Sequence, residues 1–120
     1  MLAAVDHVQL AAPEGTEDAL RAYYVGVLGM TEIPKPPALA ARGGCWFGAG
    51  AVRLHLGTEK DFRPSAKAHP GLRVTGIEAY AARLAARGAK VVWDAELPGH
   101  RRFYSEDPVG NRLEFLEPEG

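Results

Sequence analysis

The chain is predicted to be an α+β protein built from two copies of one βαβββ module. Three observations carry that prediction. Val52-Arg53-Leu54-His55-Leu56 is echoed by Asn111-Arg112-Leu113-Glu114-Phe115, with Arg, Leu, a metal-capable side chain and a large apolar residue in the same order. Asp6-His7-Val8-Gln9-Leu10 is echoed at nearly the same offset by Ala68-His69-Pro70-Gly71-Leu72, with the histidines in register. A chain of 120 residues that repeats at roughly 60 leaves each copy too short to bury a core alone, so the two make one domain. Module 1 is placed at about 1–60 and module 2 at about 66–120, with boundaries good to roughly two to four residues.

In module 1, Ala4 to Ala11 alternates with a period of two and reads as a strand. Pro13 and Gly15 end it. Thr16 is the expected N-cap of a helix with Glu17 and Asp18 in its first turn, where negative charge suits the dipole. Ala19, Leu20, Tyr23, Tyr24 and Val27 recur at helical spacing, and Gly29 supplies the stop. Met30 to Pro34 reads as a short strand, and Lys35-Pro36-Pro37 as an extended turn. Gly44 to Phe47 and Ala51 to Leu56, separated by Gly48-Ala49-Gly50, form a hairpin. Residues 57–68 are polar and connect the halves.

Module 2 repeats the plan. Pro70 to Thr75 is a strand, and Gly76 to Arg87 a helix with Ile77, Tyr80, Ala81 and Leu84 on one stripe and Gly88 as its cap. Lys90 to Asp94 is strand-like and Pro98-Gly99 turns the chain, placing His100 in that turn. Arg101 to Glu106 and Asn111 to Glu117 then pair around Asp107-Pro108-Val109-Gly110.

Composition narrows the function. Apolar content of 47% and charged content of 24% are those of an ordinary globular protein. A formal net charge of −1 gives no reason to expect nucleic acid or a membrane surface. The single Cys45 excludes an internal disulfide and fits a reducing compartment. No apolar run approaches the ~18 residues of a membrane span, and the first residues lack the form of a signal peptide. A cytoplasmic location is the expectation by elimination.

Strand periodicity sorts the polar residues. His7 and Gln9 share a face, as do Arg53 and His55, His69 and Arg73, and Arg112 and Glu114, each set opposite apolar neighbours. Four strands with one apolar face under helices and one ionisable face describe a lined cleft. A lone strand histidine is usually a hydrogen-bonded or solvated residue. Three histidines and one glutamate at equivalent repeat positions instead suit Fe, Mn, Ni, Co or Zn, because imidazole and carboxylate are their ligands and thiolate is absent from the set.

These features resemble the vicinal oxygen chelate superfamily, which includes glyoxalases, bleomycin-resistance proteins and extradiol dioxygenases. The resemblance rests on Asp6 to Leu10, on Tyr24 to Gly29 and on Asp107 to Phe115, and it spans essentially the whole chain. It implies two βαβββ modules forming an open, cupped mixed β-barrel with helices outside, in a homodimer, with one divalent metal inside the cup. The family's ligand positions fall on His7, His55, His69 and Glu114. Glyoxalase I-like members carry a carboxylate where His55 stands and use it as base. Extradiol-type members use two His and one Glu, which His7, His69 and Glu114 reproduce. The lysine and cation-binding loop of fosfomycin-modifying members have no match around Asp94 to Arg101. Bleomycin-binding members carry no metal.

Around such a metal, Arg53, Arg73 and Arg102 are candidate substrate-binding groups, because Arg takes carboxylate or phosphate bidentately; surface pairing is their alternative. Trp46, Phe62 and Tyr104 are candidate pocket walls, with burial in the core as theirs, and Asp61-Phe62-Arg63-Pro64 is a candidate closing loop. His55 and His100 are the candidate catalytic residues. If His55 coordinates the metal, an isomerase or lyase reaction follows; if it stays off, it suits a general base. The expected function is a metal-dependent lyase, isomerase or dioxygenase acting on a small anionic substrate with adjacent oxygens. The alternative is a non-catalytic drug- or metabolite-binding protein.

Overall fold

A computed structural model describes the chain from Met1 to Gly120, which divides into two compact units, Met1–Pro64 and Ser65–Gly120. Unit 1 runs β1 (Val8–Ala12), α1 (Glu17–Arg21) continuing as a π-helix (Ala22–Val27), β2 (Thr31–Ile33), α2 (Pro37–Ala40), β3 (Cys45–Ala49) and β4 (Val52–Thr58). Unit 2 runs β5 (Gly71–Arg73), α3 (Ile77–Ala86), β6 (Val92–Asp94), β7 (His100–Glu106) and β8 (Arg112–Pro118). Each unit holds one open four-stranded sheet, ordered β1-β4-β3-β2 and β5-β8-β7-β6. In both, the first strand pairs parallel to the last and the other pairs are antiparallel. The α+β class and the duplicated βαβββ plan are therefore observed.

The parallel pairing needs a long crossover, which the helix and intervening hairpin provide. It also sets the last strand of each module between two neighbours. Leu54 and Leu56 on β4 and Leu113 and Phe115 on β8 are at most 2% exposed. In unit 1, Phe47 and Tyr24 are fully buried and stack at 5.0 Å. In unit 2, an aromatic row crosses the sheet, with Trp93 paired to Phe103 and Phe103 to Phe115. Ile77, Ala81 and Leu84 of the predicted stripe are the buried residues of α3.

Several details differ from the sequence reading. The first helix is α-helical for only one turn before widening, and Leu28 N–H donates to the Tyr23 carbonyl. That wider turn carries the adjacent Tyr23 and Tyr24 both into the core, at 4% and 0% exposure. Thr16 makes no side-chain cap; its hydroxyl donates back to the Pro13 carbonyl at 2.7 Å. Pro37 opens α2 where an extended turn is expected, because proline is compatible with the first helical position, whose N–H has no intrahelical partner. Strand β3 runs on to Ala49, leaving Gly50 and Ala51 as the hairpin turn. His100 is the first residue of β7 and not a turn residue. Gly29 and Gly88 both take φ of +82°, the left-handed conformation that ends each helix as expected. No helix is long and apolar enough to cross a membrane.

Candidate functional site

The polar faces of the two sheets carry equivalent rows. In unit 1 the register aligns Ile33, Trp46, His55 and Gln9 across all four strands. In unit 2 it aligns Val92, Tyr104, Glu114 and Gly71. Thus His55 and Glu114 occupy matching places on the last strands, and Trp46 and Tyr104 matching places beside them. Both are buried, at 9% exposure each, so β4 and β8 are covered on both faces and not only on the apolar one.

In unit 1 the row becomes a column of rings. The Trp46 ring lies 4.1 Å from that of His55, nearly parallel at 7°, and His7 covers the other face of His55 at 4.2 Å and 16°. Beside His7, Asp6 places Oδ1 2.9 Å from its Nδ1. This carboxylate–imidazole contact orients the ring and leaves Nε2 free to ligate. The same contact holds the Asp6 carboxyl below its usual range. Lone pairs lie in the ring planes, and planes stacked at 4.2 Å with a 16° tilt share no point within bonding reach. His7 and His55 are therefore neighbours and not a chelating pair as they stand. With Ile33, Leu39 and Arg53, the column borders a cavity of about 560 Å³.

Burial, then the nearby His7, pushes the His55 imidazole below its ordinary pKa of 6.5. The folded state thus binds a proton at this site less readily than the unfolded chain. Stability contributed by neutral His55 is present at high pH and is lost as pH falls through about 6.5 and toward the folded value. We expect the melting temperature to fall between about pH 7 and pH 5, and His55→Phe to flatten that fall. An unchanged pH profile in His55→Phe would remove His55 as its source.

In unit 2 the donors are a histidine and a carboxylate. His69 Nδ1 sits 2.7 Å from the Lys67 carbonyl, and Nε2 sits 3.0 Å from Glu114 Oε1. Both ring nitrogens therefore face acceptors. A doubly protonated ring satisfies both. An Nδ1–H tautomer would instead leave Nε2 and Glu114 Oε1 as the donors that would hold a divalent ion, with the carbonyl as the usual outer partner of a ligating histidine. The second oxygen of Glu114 accepts from Arg102 Nη1 at 3.1 Å, and Arg102 Nε donates to Asp94 at 3.0 Å. Arg102 is thereby committed to two carboxylates and is not a free substrate anchor. Within neither unit do three or more His, Cys, Asp and Glu side chains form a ligand cluster.

The remaining candidates separate. Tyr104 is half-buried, with the edge of His69 against its ring at 5.5 Å and Arg112 over it at 3.9 Å. His100 faces the Pro98 carbonyl at 3.2 Å and borders a different cavity, of about 320 Å³, with Trp93 and Glu119. Arg73 is exposed on β5. Phe62 is half-buried in the connection after β4 and lines neither cavity. Asp6 and Asp94 were missed by sequence reasoning. Asp6, adjacent to His7, had a signal in carboxylate–histidine adjacency; Asp94, which reaches Arg102 across a strand pair, had none.

The two units thus form an α+β fold in which each sheet carries ionisable groups at equivalent places. The model of the glyoxalase-like domain matches residues 7–116, and the chain belongs to that family, within the vicinal oxygen chelate superfamily. Its structure is similar to that of a protein of Bacillus anthracis assigned to the glyoxalase family, with 44% identity over 99% of this chain and 98% of the other, at a TM-score of 0.97. At the level of fold it is similar to TnmS3, an antibiotic-binding protein from Streptomyces sp. CB03234, with 23% identity over 98% and 100% of the chains and a TM-score of 0.75. It is likewise similar to the fosfomycin resistance protein FosX of Listeria monocytogenes, solved with Mn(II) and a dihydroxypropylphosphonic acid, with 14% identity over 96% and 90% and a TM-score of 0.72. No curated protein matches the sequence at comparable stringency.

Proposed function

We propose that this chain is a metal-dependent vicinal oxygen chelate enzyme, a lyase, isomerase or dioxygenase, acting on a small anionic substrate with adjacent oxygens. The observation that carries the reading is the His69–Glu114 pair, 3.0 Å apart with the histidine's other nitrogen anchored on a backbone carbonyl. His7, held by Asp6, is the donor at the equivalent place of module 1. An ion held there supplies Lewis acidity to adjacent substrate oxygens. His55, packed between Trp46 and His7, is assigned to proton transfer and not to ligation, because its stacked ring directs no lone pair toward a point shared with His7.

One observation favours the rival reading of a binder without turnover: the ring column beside a cavity of about 560 Å³ suits a flat organic ligand with no ion. Metal analysis separates the two. Protein loaded with Mn(II), Fe(II) or Zn(II) and desalted is expected to retain about one equivalent per chain, and a chelator to lower its melting temperature. Protein that retains no metal from any of the three, and melts identically with and without chelator, overturns the enzymatic reading in favour of the binder.

A further inference from the structure

We infer that the outer edge of Arg53 is the anion-binding group of the module 1 cavity, and that this cavity takes a small monocarboxylate with a compact apolar body. This rests on the function proposed above and adds the class of ligand and the residue that selects it. Arg53 Nη1 donates to the carbonyls of Gly50 and Val52, at 2.7 and 2.8 Å. Its Nε and Nη2 have no partner. Those two nitrogens lie along one edge of the planar guanidinium, where parallel N–H groups match the two oxygens of a carboxylate. The group is thus anchored at one end and open at the other.

Its cross-strand partner is Gly48. A Cβ there would stand 2.9 Å from Nη1 and 2.7 Å from Ile33 Cδ1, so the guanidinium lies over bare backbone that only glycine leaves open. Ile33, Leu39 and Trp46 supply apolar wall to the same cavity. Asp6 also borders the cavity, with its carboxylate engaged by His7, and its charge disfavours a dianion. Arg73 lies exposed on β5 of the other unit and does not border this cavity, and the arginines of β7 and β8 are engaged. Arg102 holds Asp94 and Glu114, Arg101 pairs with Glu78, and Arg112, the repeat equivalent of Arg53, lies on the Tyr104 ring.

The test uses the intact chain with Trp93→Phe, so that Trp46 alone reports. Benzoate, hexanoate, benzamide and inorganic phosphate are titrated against Trp46 fluorescence, in metal-loaded and in chelator-treated protein. Benzoate is expected to saturate, and benzamide to bind at least about tenfold more weakly, since it lacks the charge that completes the fork. Arg53→Gln is expected to weaken benzoate by about tenfold or more, and Arg53→Lys by several-fold, because lysine keeps the charge without the paired donors. Gly48→Ala, which displaces the guanidinium, is expected to mimic Arg53→Gln, while Arg112→Gln leaves the titration unchanged. Equal binding of benzoate and benzamide overturns the inference, as does unchanged benzoate affinity in a folded Arg53→Gln or Arg53→Lys variant. Loss of binding in Arg112→Gln alone moves the anion site to module 2 and equally overturns it. Benzoate binding through Arg53 in protein that retains no metal leaves the inference standing and removes the enzymatic reading; metal retention without benzoate binding does the reverse.

Discussion

Glu114→Ala is expected to abolish metal retention and to cost about 3 kcal/mol of stability, the lower end of what removing one partner from a buried charged pair costs. The carboxylate side chain is 11% exposed and takes His69 on one oxygen and Arg102 on the other. Its removal leaves the Arg102 guanidinium, itself 17% exposed, with Asp94 as its one remaining carboxylate. It also frees His69 Nε2 from the only side chain it faces. Glu114→Gln separates the two roles. The amide keeps an acceptor for Arg102, so its stability cost is expected at about 1 kcal/mol, yet a neutral amide is a much poorer ligand for a divalent ion and metal is still lost. Urea denaturation and metal content on the same preparations read both quantities. A Glu114→Gln protein that keeps its metal makes Glu114 a purely structural residue and moves the ligand set elsewhere.

The duplicated plan was legible because its signal is short-range. Arg-Leu-His-Leu and Arg-Leu-Glu-Phe alternate apolar and ionisable residues with the period of a strand, and each sits after a glycine-containing turn. The relation that defines the site is different in kind. Trp46 on His55 depends on the register of β3 against β4, and that register is set by a two-residue turn at Gly50 and Ala51 that three small residues left ambiguous. The choice among arginines was illegible for the same reason. Arg102 looks like Arg53 in sequence, but Asp94 and Glu114 flank it only once β6, β7 and β8 are aligned. Of the family-like stretch Asp107 to Phe115, the opening turn Asp107 to Asn111 is architectural. Asp107 is 4% exposed and accepts from the backbone of Val109 and Asn111 and from the Asn111 amide. It closes the hairpin that delivers Glu114. A carboxylate from β8 likewise does work that the helix signals hid: Glu117 accepts from Gly76 and Ile77 N–H, capping α3 from outside its own sequence.

Phe115→Ala is expected to have the largest effect of any single truncation in module 2, about 3–5 kcal/mol. Phe115 is 2% exposed, stacks on Phe103 at 5.1 Å and meets the edge of Tyr80 of α3 at 5.5 Å. It is the residue through which helix and sheet share one aromatic cluster, and Trp93 extends that cluster to the outer strand at 5.3 Å from Phe103. Truncation leaves a void that neighbouring rigid rings fill poorly, which places the cost toward the upper part of the range. Phe115→Leu keeps most of the volume and is expected to cost about 1–1.5 kcal/mol. The consequence reaches the polar face because Glu114 is the next residue on a strand covered on both sides. A strand that loses its inner anchor holds its outer side chain less firmly, so Phe115→Ala is expected to broaden the His69 ring resonances that report the Glu114 contact, while Phe115→Leu leaves them sharp. Urea denaturation of both variants and His-selective NMR give the two readouts. Sharp His69 signals in a Phe115→Ala protein destabilised by the full amount would show that the His69–Glu114 pair is positioned independently of the core beneath it, and that Asp107, Arg102 and the β7–β8 register suffice.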